Sequence, residues 1–534
     1  MVLTLLLVLL LLKSALASCL HILQPRFTID SLYLSWRLLI PLPLIFLLFL
    51  QEIEQAVTPP VAQQLQPVPP PVAQQPQPVP PPAAQQPQQQ QQTRSGRFFR
   101  CLFTCIFYTQ LTLISIFVIL LTLRGLVCTK SPNFHPKKWY TPLLSSVAVS
   151  GILSVAWNCF FVCNKRATVK ATLWFSPLLT ISVGLFLILY DKSNPVVLLI
   201  GALLVVYSIV TECYGGLYVR NKYEFTFKMM SIATGMLPAR TRAIAIVSVI
   251  ISVFYSGFLV AGIGGATATR TRLDILFISI LVISLAWTMQ VLKNVQEVAI
   301  SKATYVYFRR DEVMNACTAL GVTLKKQLGS VCIASTLVPL IVLFRGTTRC
   351  CNLTGRCDDD QEMYESTRGC NWIANHIILG GNRYGFVHVG AYNKGFKKAS
   401  SDTWRRFRTV AGFEQLIDFD ITSSICFSSA MGIGAVSALT AGIWELLIDR
   451  DHYFELTIYA FIIGYFVGRV SSAWLQACVM GYYVAYSEDP QNDRFDDTIP
   501  QRIVRQNIEK AQREGENRVR EDEDEEITHV SHVL

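Results

Sequence analysis

Beyond residue 98 the chain alternates between long apolar runs and short polar gaps. The runs fall at 102–127, 142–163, 171–190, 196–218, 243–264, 273–291, 328–344, 425–448 and 456–486, and the sixth continues without a break into 296–308. Each is long enough for a helix crossing about 30 Å of hydrocarbon, which takes roughly 17–25 residues. The pattern predicts an all-α fold, a polytopic transmembrane bundle of about ten spans, nine from these runs and a tenth left open. Residues 346–424 read as polar and irregular, with a partly buried helix over 381–397. In lipid every backbone polar group needs an internal partner, so these runs must be helices packed together.

Composition and charge sharpen this picture. Hydrophobic residues make up 51% of the 534, and only 16% are charged, against roughly 25% in a soluble domain. The formal charge of +10 is not spread like a nucleic-acid footprint. Arg94, Arg97 and Arg100 precede the first run, Lys165, Arg166 and Lys170 follow the second, and Arg220, Lys222, Lys228, Arg240 and Arg242 fill the gap 219–242. Basic loops beside apolar spans mark the cytoplasmic side of a bilayer. With Arg94–Arg100 inside, the loops 164–170 and 219–242 fall inside, while 128–141, 191–195 and 265–272 fall outside. After Phe308 the charge pattern leaves the parity open. The expected partner is the lipid bilayer, and no nucleic acid is expected.

Four regions follow. Residues 1–56 form an apolar N-terminal segment, either a signal or an extra span. Ala15-Leu16-Ala17 has the small-x-small form of a cleavage site, yet no Lys or Arg precedes the run at 5–12. Residues 57–93 are a Pro/Gln-rich linker: PPVAQQLQPVP at 59–69 is followed by PPVAQQPQPVP at 70–80, a repeat of polyproline II character with no core-forming residues. The membrane domain covers 94–490. Residues 491–534 form an acidic, solvated tail that includes Glu521–Glu526. Cys350, Cys351, Cys357 and Cys370 share one polar loop without paired metal-ligand spacing, so loop disulfides are expected if it faces outside. On the same condition Asn352 heads a glycosylation sequon.

Polar residues inside spans are costly and so point to function. Trp287, Gln290, Asn294 and Glu297 recur at intervals of three and four, on one helical face. An aromatic, two amides and a carboxylate could line a water-filled path for a solute; the alternative is a helix end at the interface, where Trp is common. Glu297 and Glu212 are candidates for proton coupling, and Lys302 could pair with Glu297. Arg469 lies deep in the last run and needs a partner, with Gly464 and Gly468 forming a GxxxG face beside it. Trp157, Trp174, Tyr207, Trp287, Trp444 and Trp474 are scattered through the spans, and aromatic faces hold quaternary ammonium groups by cation–π contact. No P-loop, H-E-x-x-H, G-x-S-x-G or paired CxxC occurs in the sequence. Neither an enzyme nor a catalytic residue, metal or cofactor is expected.

Four blocks carry a resemblance. Trp287 is followed seven positions on by Asn294, then by Tyr305-Val-Tyr307-Phe308. Downstream stand Leu328-Gly329-Ser330-Val-Cys332-Ile-Ala-Ser335, then Asn382–Gly390 with Ala391-Tyr392-Asn393-Lys394-Gly395-Phe396 and Ala399-Ser400, and finally Tyr486-Ser487-Glu488-Asp489-Pro490. In order and spacing these resemble the choline transporter-like family over about 95–500. The resemblance implies a bundle of about ten helices, both termini cytoplasmic, and sodium-independent transport of choline or related amines, at the plasma membrane or an internal one. Glu297 and Lys302 stand where many members have His and a small residue, and the loop between the first two spans is short, which favours a plant, fungal or protist-type branch. The rival expectation is a non-transporting scaffold or trafficking protein of the same fold. Oligomeric state is left open.

Overall fold

A computed structural model describes residues 94–127, 136–190, 194–214, 220–235, 239–267, 274–336, 381–410, 412–448, 452–506 and 508. The described residues are predominantly helical, with no strand among them. In chain order the helices are α1 (Arg94–Val127), α2 (Pro136–Cys163), α3 (Lys165–Tyr190), α4 (Pro195–Tyr214), α5 (Arg220–Gly235), α6 (Ala239–Thr267), α7 (Asp274–Arg310), α8 (Ala316–Val322), α9 (Gly385–Tyr392), α10 (Phe396–Thr409), α11 (Phe413–Phe419), α12 (Thr422–Ile448) and α13 (Tyr453–Glu488). A π turn, Thr323–Gln327, joins α8 to a helical stretch at 328–336. Eight of these helices, α1–α4, α6, α7, α12 and α13, are long and apolar enough to cross a membrane. The protein is a multi-pass membrane protein. Of the expected seventh span, 328–336 is helical, and the rest lies outside the described residues, as do the segments 1–56 and 57–93 and most of the acidic tail.

Burial sorts the spans into centre and rim. The membrane window of α13 is buried along its whole length, whereas that of α1 is only 22% buried. Helix α13 packs against α12, α7, α2 and α6. Glycine makes these close approaches feasible. A Cβ on Gly468 would stand 2.8 Å from the Ala430 Cα on α12, and one on Gly481 would stand 2.7 Å from the Ser301 carbonyl on α7. Small residues let helix backbones meet where lipid supplies no hydrophobic drive between them, so the GxxxG face of Gly464 and Gly468 is the seam to α12. Around the rim, Leu113, Phe254 and Leu447 are 61%, 74% and 82% exposed. Apolar side chains laid bare along membrane-length helices mark a surface suited to lipid tails.

The packing also fixes which ends share a face. Arg100 Nη1 donates to the Asn393 carbonyl at 3.5 Å, and Tyr305 near the end of α7 reaches Glu488 at the end of α13. Lys165 at the start of α3 donates to Ser231 and Thr234 of α5. All belong to one basic face. On the opposite face Trp139 meets His452 at 5.0 Å and Tyr190 meets Tyr453 at 5.6 Å. The parity that charge left open after Phe308 is thereby settled: α7 and α13 both end on the basic face, where α1 begins.

Two expectations need correction. The basic gap 219–242 holds a helix, α5, whose Tyr223, Phe225, Met229 and Met230 pack into the same buried cluster as Phe308 and Tyr482. Its charges hide the apolar positions from a hydropathy reading, and tertiary packing stabilises the helix. The single helix expected over 381–397 is two, α9 and α10, broken at Asn393. Asn393 takes a left-handed conformation at φ 54°, which Asn tolerates better than most residues. The break turns the chain so that Gly385 packs against Ser400.

Candidate functional site

The predicted face of α7 exists and is buried against two neighbours. Trp287 meets Phe107 of α1 edge-to-face at 5.8 Å, and its indole Nε1 is buried with no hydrogen-bond partner. One turn on, Gln290 Nε2 donates to Asn294 Oδ1 at 3.4 Å, and Asn294 Nδ2 donates to Ser335 Oγ at 2.9 Å. Ser335 in turn donates to the Val331 carbonyl. A buried polar group without a partner costs roughly 1–3 kcal/mol, so the bare indole N–H is unusual. The polar string continues the other way along α7. Gln110 Nε2 of α1 donates to Ser284 Oγ, which also bonds Tyr255 of α6 at 2.8 Å, and Thr288 donates to the Tyr255 hydroxyl at 3.1 Å. Sequence reasoning missed this extension; the amide of Gln110 in an apolar span was its only trace.

Glu297, one turn beyond Asn294 on that face, has partners of its own. Its carboxylate pairs with Lys293 at 2.7 Å and is 1% exposed. Sequence reading offered Lys302 as partner or an interfacial position, and neither holds. Five residues turn a helix by about 140° beyond one full revolution, whereas four bring side chains onto one face. With its amide oriented to satisfy both ends, Gln476 of α13 donates to Glu297 Oε1 at 3.2 Å and accepts from Ser423 Oγ at 2.8 Å and from Arg383. Asp420 accepts from the Thr422 amide and hydroxyl at 3.1 and 2.7 Å. Burial pushes its carboxyl above the usual range, while the Thr422 bonds and the Arg383 charge oppose that rise. Arg469 is 5% exposed, and its side-chain contact is the Phe427 ring at 5.8 Å. Lys293, Glu297, Arg383 and Arg469 all lie within electrostatic range of the buried Cys426 thiol. Lys293, Arg383 and Gln476 were not foreseen; an i,i+4 Lys–Glu pair inside a span was the available signal.

A third group closes the basic end. Glu488 accepts from Tyr305 at 2.5 Å and from Tyr392 at 3.2 Å, and His388 Nε2 lies 3.0 Å from its other oxygen. Thr403 of α10 bonds His388 Nδ1 at 2.9 Å. Arg309 pairs with Asp489 at 2.5 Å and lies 3.7 Å from Glu488. Burial, and then the Glu488 charge, raises the Tyr392 hydroxyl above its usual range, so it stays a donor. The Glu-Asp pair thus ties α13 to α7, α9 and α10.

The remaining expectations disperse. Glu212 is on α4, which packs chiefly on α3, and one of its carboxylate oxygens is buried without a partner. Nothing described joins it to the α7 string. Trp174 and Trp444 are 60% and 40% exposed. Trp157 donates to Thr172, and Trp474 donates to Asn158 at 2.7 Å. The tryptophans therefore form no common cage among the described residues. Asn352 and the four loop cysteines lie outside the described residues.

A helical multi-pass bundle with a buried polar string on one long central helix is the class of protein defined by this fold. Residues 262–491 match the family described as plasma-membrane choline transporter. Over that stretch the chain is similar to the choline transporter-like family. It is 27% identical over 190 residues to Protein PNS1 of Debaryomyces hansenii, covering 32% of this chain and 36% of that protein. It is 23% identical over 239 residues to Protein PNS1 of Candida glabrata, covering 39% and 41%. The matched stretches span about two fifths or less of the length of these relatives.

Proposed function

We propose that this protein carries choline or a related small organic cation across a membrane, the plasma membrane or an internal one. The observation that supports this best is the buried string Trp287–Gln290–Asn294–Ser335, which lies in the segment matching a choline transporter family. A quaternary ammonium has no N–H to donate and is held by aromatic faces, each worth about 0.5–2 kcal/mol. Trp287 and Phe107 supply such faces, and the amides of Gln290 and Asn294 can receive a solute hydroxyl. Glu297 is the favoured group for proton coupling because it shares α7 with the string; Glu212, remote on α4, is the weaker candidate. Its bond to Ser335 makes the Asn294 side chain a sensor of any movement of 328–336 against α7.

Choline flux into proteoliposomes holding the purified full chain tests this. Trp287→Ala should raise the half-saturating choline concentration about 2–30-fold, the range set by one cation–π contact, with the protein still monodisperse. Unchanged saturable uptake would remove Trp287 from the path. The rival reading, a scaffold acting through the Pro/Gln linker and the acidic tail, predicts that deleting 1–93 and 507–534 removes its cellular phenotype; the transport reading predicts that uptake survives.

A further inference from the structure

Among the described residues, the charged groups between α7, α12 and α13 do not balance. Lys293, Arg383 and Arg469 are three cations. Against them stand Glu297, paired with Lys293, and Asp420, which opposes Arg383. Arg469 is left over. Its side chain is almost fully buried, and among the described residues neither a carboxylate nor a carbonyl meets its guanidinium. Phe427 covers one face of the guanidinium plane and leaves its N–H edges unused. A lysine in this position could shed its proton, but a guanidinium does not deprotonate in a protein. Water could satisfy the N–H groups yet would not cancel the charge. An uncompensated cation within a bilayer is costly, and among the described residues no further carboxylate supplies the missing negative charge.

We propose that this tier binds one small monovalent anion, with Arg469 as its principal ligand and Lys293 and Arg383 supplying the surrounding positive field. The close approach of α12 and α13 sets the size. A Cβ on Gly468 would fall 2.8 Å from the Ala430 Cα, and Ser472 and Cys426 are linked across the same seam. An ion held at this seam has to be small, a halide or a small carboxylate rather than a phosphoester. The site centres on Arg469 of α13, whereas the Trp287 string runs along α7 to Ser335, and its occupancy does not depend on which solute that string receives.

The test is thermal unfolding of the purified full chain in detergent, titrated from gluconate into chloride, or into acetate, at constant ionic strength. Chloride or acetate should raise the wild-type melting temperature by several degrees and saturate, and the stronger of the two identifies the ion as halide or carboxylate. Arg469→Gln should abolish the response without lowering the melting temperature in gluconate, since it removes a buried charge that no described carboxylate balances. Glu297→Gln should tighten the response about ten-fold by deleting the nearest competing negative charge. A wild type indifferent to both ions, or an Arg469→Gln protein that still responds, would overturn the assignment. Because the readout is binding, a protein that binds the anion and moves no choline leaves this inference standing while the transport reading falls.

Discussion

Glu488 and Glu297 are both carboxylates buried in the same bundle, one at the basic end of α13 and the other within α7. Glu488 receives two tyrosine hydroxyls and faces His388, with Arg309 and Asp489 completing a closed set. Glu297 shares its surroundings with more cations than it can neutralise. A saturated network resists rearrangement because every displaced group would be left unpaired in a low dielectric. An unsaturated one exchanges partners at lower cost. The first arrangement suits a latch between helices, and the second suits a place where charge arrives and leaves.

This contrast can be broken experimentally, and the largest effect is expected at the latch. Glu488→Ala leaves Tyr305, Tyr392 and His388 without their shared acceptor and should cost about 3–5 kcal/mol, as for other broken buried networks, read as an earlier unfolding transition in a detergent titration. A loss below 1 kcal/mol would mean the latch contributes little. Gly481→Leu forces a side chain into Ser301 and Thr304 and should cost about 1–3 kcal/mol by overpacking, measured in the same assay. Tyr392→Phe removes one of three donors to Glu488 and should cost about 1.5 kcal/mol; a neutral outcome would show that Tyr305 and His388 suffice. Asp402→Asn loosens a part-exposed pair with Lys394 across the break between α9 and α10 and should cost less than about 1 kcal/mol. At the foot of the series stands Arg469→Gln, with no loss at all in gluconate. Should it destabilise as much as Glu488→Ala, the two regions would not differ in how fully their charges are satisfied.

Much of the architecture was legible. Long apolar runs became membrane helices because an uninterrupted run leaves the backbone no other way to satisfy itself in lipid. The spacing of Trp287, Gln290 and Asn294 placed them on one face, and the structure joins the two amides and adds Ser335. Helix α5 was hidden because charged residues interrupt its apolar positions, and only contact with α3 and α13 makes them a face. The partner of Glu297 was misjudged between two lysines, since i+5 looks near in a sequence and is turned away on a helix.

What the linear chain determined unaided was its solvent, its helical class and the faces along each helix, because hydropathy and periodicity are local and act before any helix meets another. Charge pairing was decided only in the folded bundle. Glu297, Arg383, Ser423 and Gln476 come from stretches as much as 179 residues apart and meet because glycine seams bring α7, α12 and α13 close enough for side chains to touch. Such proximity is a property of three packed helices together, and no one of them encodes it alone.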